Sequence, residues 1–156
     1  MNAPEADERR GFAFLFRTDR GTIDRATWWR GTLPLVVIAV VANILWVLIR
    51  PYMDHGLDRP PIVVLAVYLY LVAFSFGTLL LLVCEYNLSA KRFTALGLPR
   101  SLAATLPFSL LFGAAFAWYL PRADGSLPSW SGWIAALVVL GVVIWNVVEL
   151  GIRRRR

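Results

Sequence analysis

The chain reads as an all-α polytopic membrane protein, a four-transmembrane-helix bundle preceded by a short interfacial segment on the cytoplasmic side. Three observations predict this. Apolar residues make up 58% of the chain and the mean hydropathy is +0.62, values that soluble domains of this length rarely approach. Those residues gather in four long blocks instead of recurring at core spacing. The charged residues concentrate around the blocks, so the net charge of +6 lies where arginines meet lipid phosphates, and nucleic acid is not an expected partner.

Residues 1–10 are polar and mixed in charge, and a disordered tail is expected there. Residues 11–31 form the interfacial cytoplasmic segment. Its apolar run GFAFLF is too short to cross a bilayer. Asp24 suits an N-cap, with Arg25 starting a helix that carries Trp28 and Trp29 at headgroup level. That helix either runs into the first span, leaving Pro34 as an interior kink, or gives way to a second helix with Pro34 in its first turn. A cleavable signal peptide is not expected, because a charged lead of about thirty residues precedes the first apolar block.

The transmembrane domain covers residues 32–152, with spans at about 32–49, 62–84, 102–120 and 132–152, each near the roughly 20 residues that hydrocarbon requires. The first connection is broken by Pro51, Gly56, Pro60 and Pro61, and the third by Pro121, Gly125 and Pro128. Residues 85–101 read as a basic loop holding Lys91, Arg92 and Arg100. Residues 153–156 are a basic cytoplasmic tail that stops the last span and attracts anionic lipids. Thirteen of the sixteen basic residues precede the first span, lie between the second and third, or follow the fourth, while Arg50, Arg59 and Arg122 fall on the other side. The basic side is cytoplasmic by the positive-inside rule, and four spans place both termini there.

The stretch LFRTDRGTIDRATWWRGTL, residues 15–33, resembles the opening of the YhaH-like family of bacterial inner-membrane proteins (domain of unknown function 805). That family opens with a short aromatic run, Gly-Arg-x-x-Arg and an aromatic-Trp pair. Gly21, Arg25, Trp28 and Trp29 match it, and Thr22 stands where the family has its first Arg. A second landmark lies in the loop after the second span, where Lys91, Arg92 and Gly97 match, Thr94 and Ala95 replace a His-Asp pair, and a Ser-Gly-Trp is missing. The resemblance implies a four-helix bacterial inner-membrane protein with no assigned activity.

Polar residues within spans are the candidates for function: Asn43, Ser75, Thr78, Ser109, Asn146 and Glu149, with Glu85 at an interface. At 1.5 Å per residue, Thr78, Ser109 and Asn146 fall roughly 9 to 10 Å from the cytoplasmic ends and could share one hydrogen-bonded layer. Asn43 lies deeper, at roughly 18 Å, with Ser75, at roughly 14 Å, as its nearest partner. They could line a path for an ion or solute, or supply interhelical hydrogen bonds worth about 0.6 kcal/mol each, and the second reading is favoured. Glu85 and Glu149 lie close to Arg25, Arg30, Lys91 and Arg92, and are expected to latch the spans to the amino-terminal helix through an arginine.

Small residues recur at packing spacing in Ser109, Gly113 and Ala117, and in Ala73 and Gly77, and serve either packing within the chain or a homodimer. Trp28 and Trp29 mark a cytoplasmic aromatic belt, and Trp46, Trp118, Trp130 and Trp133 an outer one, whereas Trp145 is packed. His55 with Asp54 and Asp58 reads as a wet turn, since zinc prefers more nitrogen or sulfur on a firmer scaffold. Cys84, alone, makes no internal disulfide. No catalytic residue, metal site or cofactor is expected. The leading expectation is a non-enzymatic structural, assembly or interaction component, as a homo-oligomer or within a larger membrane complex. A small transporter or channel subunit is the alternative, and an intramembrane enzyme the third.

Overall fold

The computed structural model describes residues 11–53, 60–119, 128 and 130–153. The described residues are helical throughout their ordered elements, and four helices are long and apolar enough to cross a membrane. The protein is therefore all-α and multi-pass.

A short helix α1, Phe12–Phe16, opens the described chain. Its Phe12 and Phe16 lie one turn apart with ring centroids at 4.9 Å. The first spanning helix, α2, is Arg25–Ile49. The Asp24 carboxylate accepts from the Thr27 backbone N–H at 3.1 Å, satisfying one of the donors that a helix start leaves open. Hydrogen bonding from Thr27, through its side chain first and its backbone next, holds the Asp24 carboxyl below its ordinary value. The helix runs without a break from the interfacial residues into the first span, and Pro34 lies in its interior. A 3₁₀ turn, Arg50–Tyr52, with Pro51 inside it, ends the span.

The second spanning helix, α3, runs Pro61–Ala95. It starts where Pro61 supplies a preset φ at the first helical position. It does not stop at Cys84. The expected basic loop 85–101 is helical as far as Ala95, and the charges of Lys91 and Arg92 sit on that helix. The true stop is Gly97, whose φ of +75° favours glycine. Gly97 N–H donates to the Thr94 carbonyl at 3.1 Å and Leu98 N–H to the Phe93 carbonyl at 2.9 Å, the paired bonds of a Schellman ending, with Pro99 just beyond.

The chain re-enters through a 3₁₀ segment, Arg100–Ala104, that leads into α4, Thr105–Tyr119. The last span is α5, Ser131–Asn146, followed by a π-helical segment, Val147–Ile152. The wider coil is visible in Arg153 N–H, which donates five residues back to the Val148 carbonyl at 3.1 Å.

The spans pack as two antiparallel hairpins, α2 with α3 and α4 with α5, joined chiefly at the end that carries the basic residues. At Gly113 an added Cβ would stand 2.8 Å from Val139, so the stripe Ser109, Gly113 and Ala117 lets α4 approach α5 closely. The Ala73 and Gly77 stripe is not used this way, since nothing lies within 4 Å of a Cβ at Gly77. Trp46 stacks on Phe74 at 5.0 Å, and Tyr70 donates to the Ala42 carbonyl at 2.6 Å, which ties α2 to α3 in mid-span.

The core does not lie at mid-membrane. The most apolar window of each span is at most 22% buried, whereas Ile23, Trp28, Leu88, Ala90, Phe93, Ala103 and Leu150 form a closed cluster at the basic end. Phe14, Leu15 and Phe16 of α1 pack against it.

Candidate functional site

The cluster is organised around the last eleven residues of α3. Nine of them are buried, including Glu85, Asn87, Ser89, Lys91 and Arg92. Burying so many polar groups is unfavourable unless each finds a partner.

Lys91 is wholly buried, and its ammonium donates to three main-chain carbonyls: Leu15 at 2.8 Å, Thr18 at 2.5 Å and Asn87 at 3.3 Å. It also stands 5.0 Å from the centre of the Phe14 ring. Asn87 donates to the Phe16 carbonyl at 2.7 Å. Arg92 donates from Nε to the Leu150 carbonyl at 3.1 Å and from Nη2 to the Arg153 carbonyl at 2.9 Å. Trp29 Nε1 donates to the Gly151 carbonyl at 3.2 Å. Helices end with carbonyls that lack partners in their own coil. Here those of α1 and of the π segment are satisfied by the Lys91 and Arg92 cations and the Asn87 amide of α3 and by the Trp29 indole of α2, and the negative pole of a helix C-terminus favours the two cations.

Glu85 closes the arrangement. Thr32 Oγ1 donates to one carboxylate oxygen at 3.1 Å and Ser89 Oγ to the other at 2.8 Å, while Trp28 Nε1 approaches Ser89 Oγ at 3.4 Å. The carboxylate does link α3 to α2, but through hydroxyl groups. Among the described residues no basic side chain pairs with it, which corrects the expected arginine latch. Glu149 pairs with Arg153, one turn along its own segment. Trp28 is 2% exposed and Trp29 half-buried, stacked edge to face at 4.9 Å. Their place in the core corrects the expected cytoplasmic belt: each indole N–H has a protein partner, and Gly151 lies against both rings.

Comparison with known protein families, curated proteins and solved structures gives no match. The positions singled out in the sequence therefore stand on their geometry. Gly21 has φ +99°, and a Cβ there would meet the Phe14 ring at 2.9 Å, so both conformation and space demand glycine. Gly21, Trp28, Trp29, Lys91, Arg92 and Gly97 all fall in or beside the basic-end cluster, and Arg25 is exposed at its edge. Thr94 accepts from Arg100 Nε at 3.2 Å, linking the end of α3 to the turn that follows.

The intramembrane polar residues do not come together. Asn43 donates to the Ala39 carbonyl at 2.8 Å, Ser109 to Leu106 at 2.9 Å and Asn146 to Val142 at 3.0 Å, each within its own helix. The expected layer of Thr78, Ser109 and Asn146 is not formed, and Ser109 and Asn146 donate instead to carbonyls one turn back. Asn43 and Ser75 are exposed and share no bond. Asn146, 2% exposed at the junction of α5 with the π segment, keeps its Oδ1 without a partner among the described residues. Trp145 stacks one face on Phe93 at 5.7 Å but is otherwise exposed, so it is only partly packed. His55 with Asp54 and Asp58, the side chain of Trp118 and the tail 154–156 lie outside the described residues.

Sequence reasoning missed Asn87, Ser89, Thr32 and Tyr70. The first two fall in the stretch 85–101, whose charges read as a loop. The signal that could have found them is the helical spacing of Glu85, Ser89 and Arg92.

Proposed function

We propose that this protein is a non-enzymatic component of a bacterial inner membrane, with both chain ends on the cytoplasmic side, that packs with copies of itself or with other membrane chains. The observation that carries the reading is the contrast between the two zones. The buried polar groups of α3 at the basic end are hydrogen-bonded within the chain, and few residues in the spans' most apolar stretches are buried by this chain. A frame rigid at one end and open along its flanks suits assembly through helix faces. The uncovered Ala73–Gly77 stripe is one face that allows close helix approach.

The resemblance to the YhaH-like family fits this reading, since the matching positions cluster at the basic end and the family carries no assigned activity. Local hydrogen bonding of Asn43, Ser109 and Asn146 favours assembly over a small transporter or channel subunit.

Gentle extraction of the tagged protein from its native membrane tests the proposal. A defined complex, with other chains or as a homo-oligomer disrupted by Gly77→Leu, is expected. A monomer emerging alone, with cysteines at positions 43 and 75 labelled by a water-soluble maleimide, would replace the proposal with a conduit.

A further inference from the structure

We infer that the cavity at the basic end, between the start of α2, the end of α3 and the residue that closes the π segment, is a binding site for a phosphate-bearing anion. The cavity measures about 450 Å³. Three arginines, Arg25, Arg92 and Arg153, are among its lining residues, from positions far apart in sequence. The sequence places Arg92 in a loop and Arg153 in a tail, and the fold brings both beside Arg25 around one space. Asp24 is the acid among the lining residues, its carboxylate engaged as the N-cap of α2, and Arg153 also pairs with Glu149, one turn back along its own segment.

Arginine suits this ligand. Its planar fork matches two phosphate oxygens at once, and it sheds water more readily than an ammonium. Arg92 is held in place before any ligand arrives, because two of its N–H groups are bonded to the Leu150 and Arg153 carbonyls. An oriented cation loses less freedom on binding. Thr22 and Ala26 also line it, beside the start of α2, whose positive pole is capped by Asp24. The cavity opens where an apolar span begins, which is where a phospholipid carries its phosphate. The shared chemistry is the phosphate, from a lipid headgroup or from a soluble phosphate ester. This site is independent of the assembly proposal, because it is read by ligand binding and not by oligomeric state.

The test uses the full chain in nanodiscs of phosphatidylcholine, alone or with phosphatidylglycerol, and in uncharged detergent with glycerol 3-phosphate. Bound lipid is counted by native mass spectrometry and bound ester by calorimetry. Arg25→Gln combined with Arg153→Gln is the test variant, since both side chains are exposed and neither holds the core. Arg50→Gln, at the opposite end, is the control. The expected result is one retained phosphatidylglycerol, or saturable glycerol 3-phosphate, with at least about a tenfold loss of affinity in the double variant and none in the control. Retention of the lipid without binding of the ester assigns the headgroup as ligand, and binding of both assigns any phosphate ester. Equal binding by wild type and double variant, or no binding of either probe, overturns the site.

Discussion

Lys91 shows how a single charge can be accommodated where hydropathy would not place one. Its ammonium is enclosed and answered by carbonyls of Leu15, Thr18 and Asn87. Lys91→Met keeps the stem's volume and removes the donors, leaving three carbonyls with one partner fewer. It is expected to cost about 3 kcal/mol and to release the segment before α2. Limited trypsin digestion checks this: cleavage after Arg17 and Arg20 should quicken in the variant. Asp24 carries a second, milder prediction. Asp24→Ala should cost about 1 kcal/mol near neutral pH, and Asp24→Asn very little, because Asn caps as well. The folded carboxyl lies below its ordinary value of 3.8, so its contribution is complete above that value and is lost as pH falls through the folded one. Melting temperatures taken from about pH 6 down to about pH 3 should therefore fall faster for wild type than for Asp24→Asn.

Among the elements, the π segment is the most tightly constrained. Gly151 lies against two indoles, where a Cβ would stand 2.7 Å from Trp29 and 3.2 Å from Trp28. Rigid rings held by their own hydrogen bonds cannot yield, so Gly151→Ala should cost about 1 to 3 kcal/mol from overpacking. Gly97 is under a different constraint. It has open space and a left-handed φ, so Gly97→Ala should cost about 1 kcal/mol through the backbone alone. Replacement by Asn separates the two, since Asn tolerates the left-handed region but is larger than Ala. Thermal melting should find Gly97→Asn milder than Gly97→Ala, and Gly151→Asn worse than Gly151→Ala.

Taken as a whole, the molecule was legible where composition speaks and illegible where partners decide. The four spans follow from blocks of Leu, Val, Ile and Ala that nothing but hydrocarbon could accommodate at such length. Asp24 as a cap follows from its place before Arg25. The end of α3 was not legible in the same way. Hydropathy counts Lys91 and Arg92 as charge and expects water, and it has no means of seeing that carbonyls from Leu15 and Leu150 wait for them. The same blindness put Trp28 and Trp29 in a lipid belt, since an indole is as suited to a headgroup as to Ser89 and Gly151. Spacing alone also joined Thr78, Ser109 and Asn146 at one depth, when Ser109 and Asn146 each had a nearer acceptor on its own helix.

The bonds from Lys91 also set a timetable. Leu15 leaves the ribosome 76 residues ahead of the lysine that will hold it, and Thr18 73 residues ahead. At about 5 to 20 residues per second, that interval lasts about 4 to 15 s. For those seconds the segment around Leu15 and Thr18 has no place to settle, while one helix crosses the bilayer and the next returns. A segment made ahead of α2 is thus completed only after α3 is made. The order in which the protein is made runs against the order in which its basic end is completed.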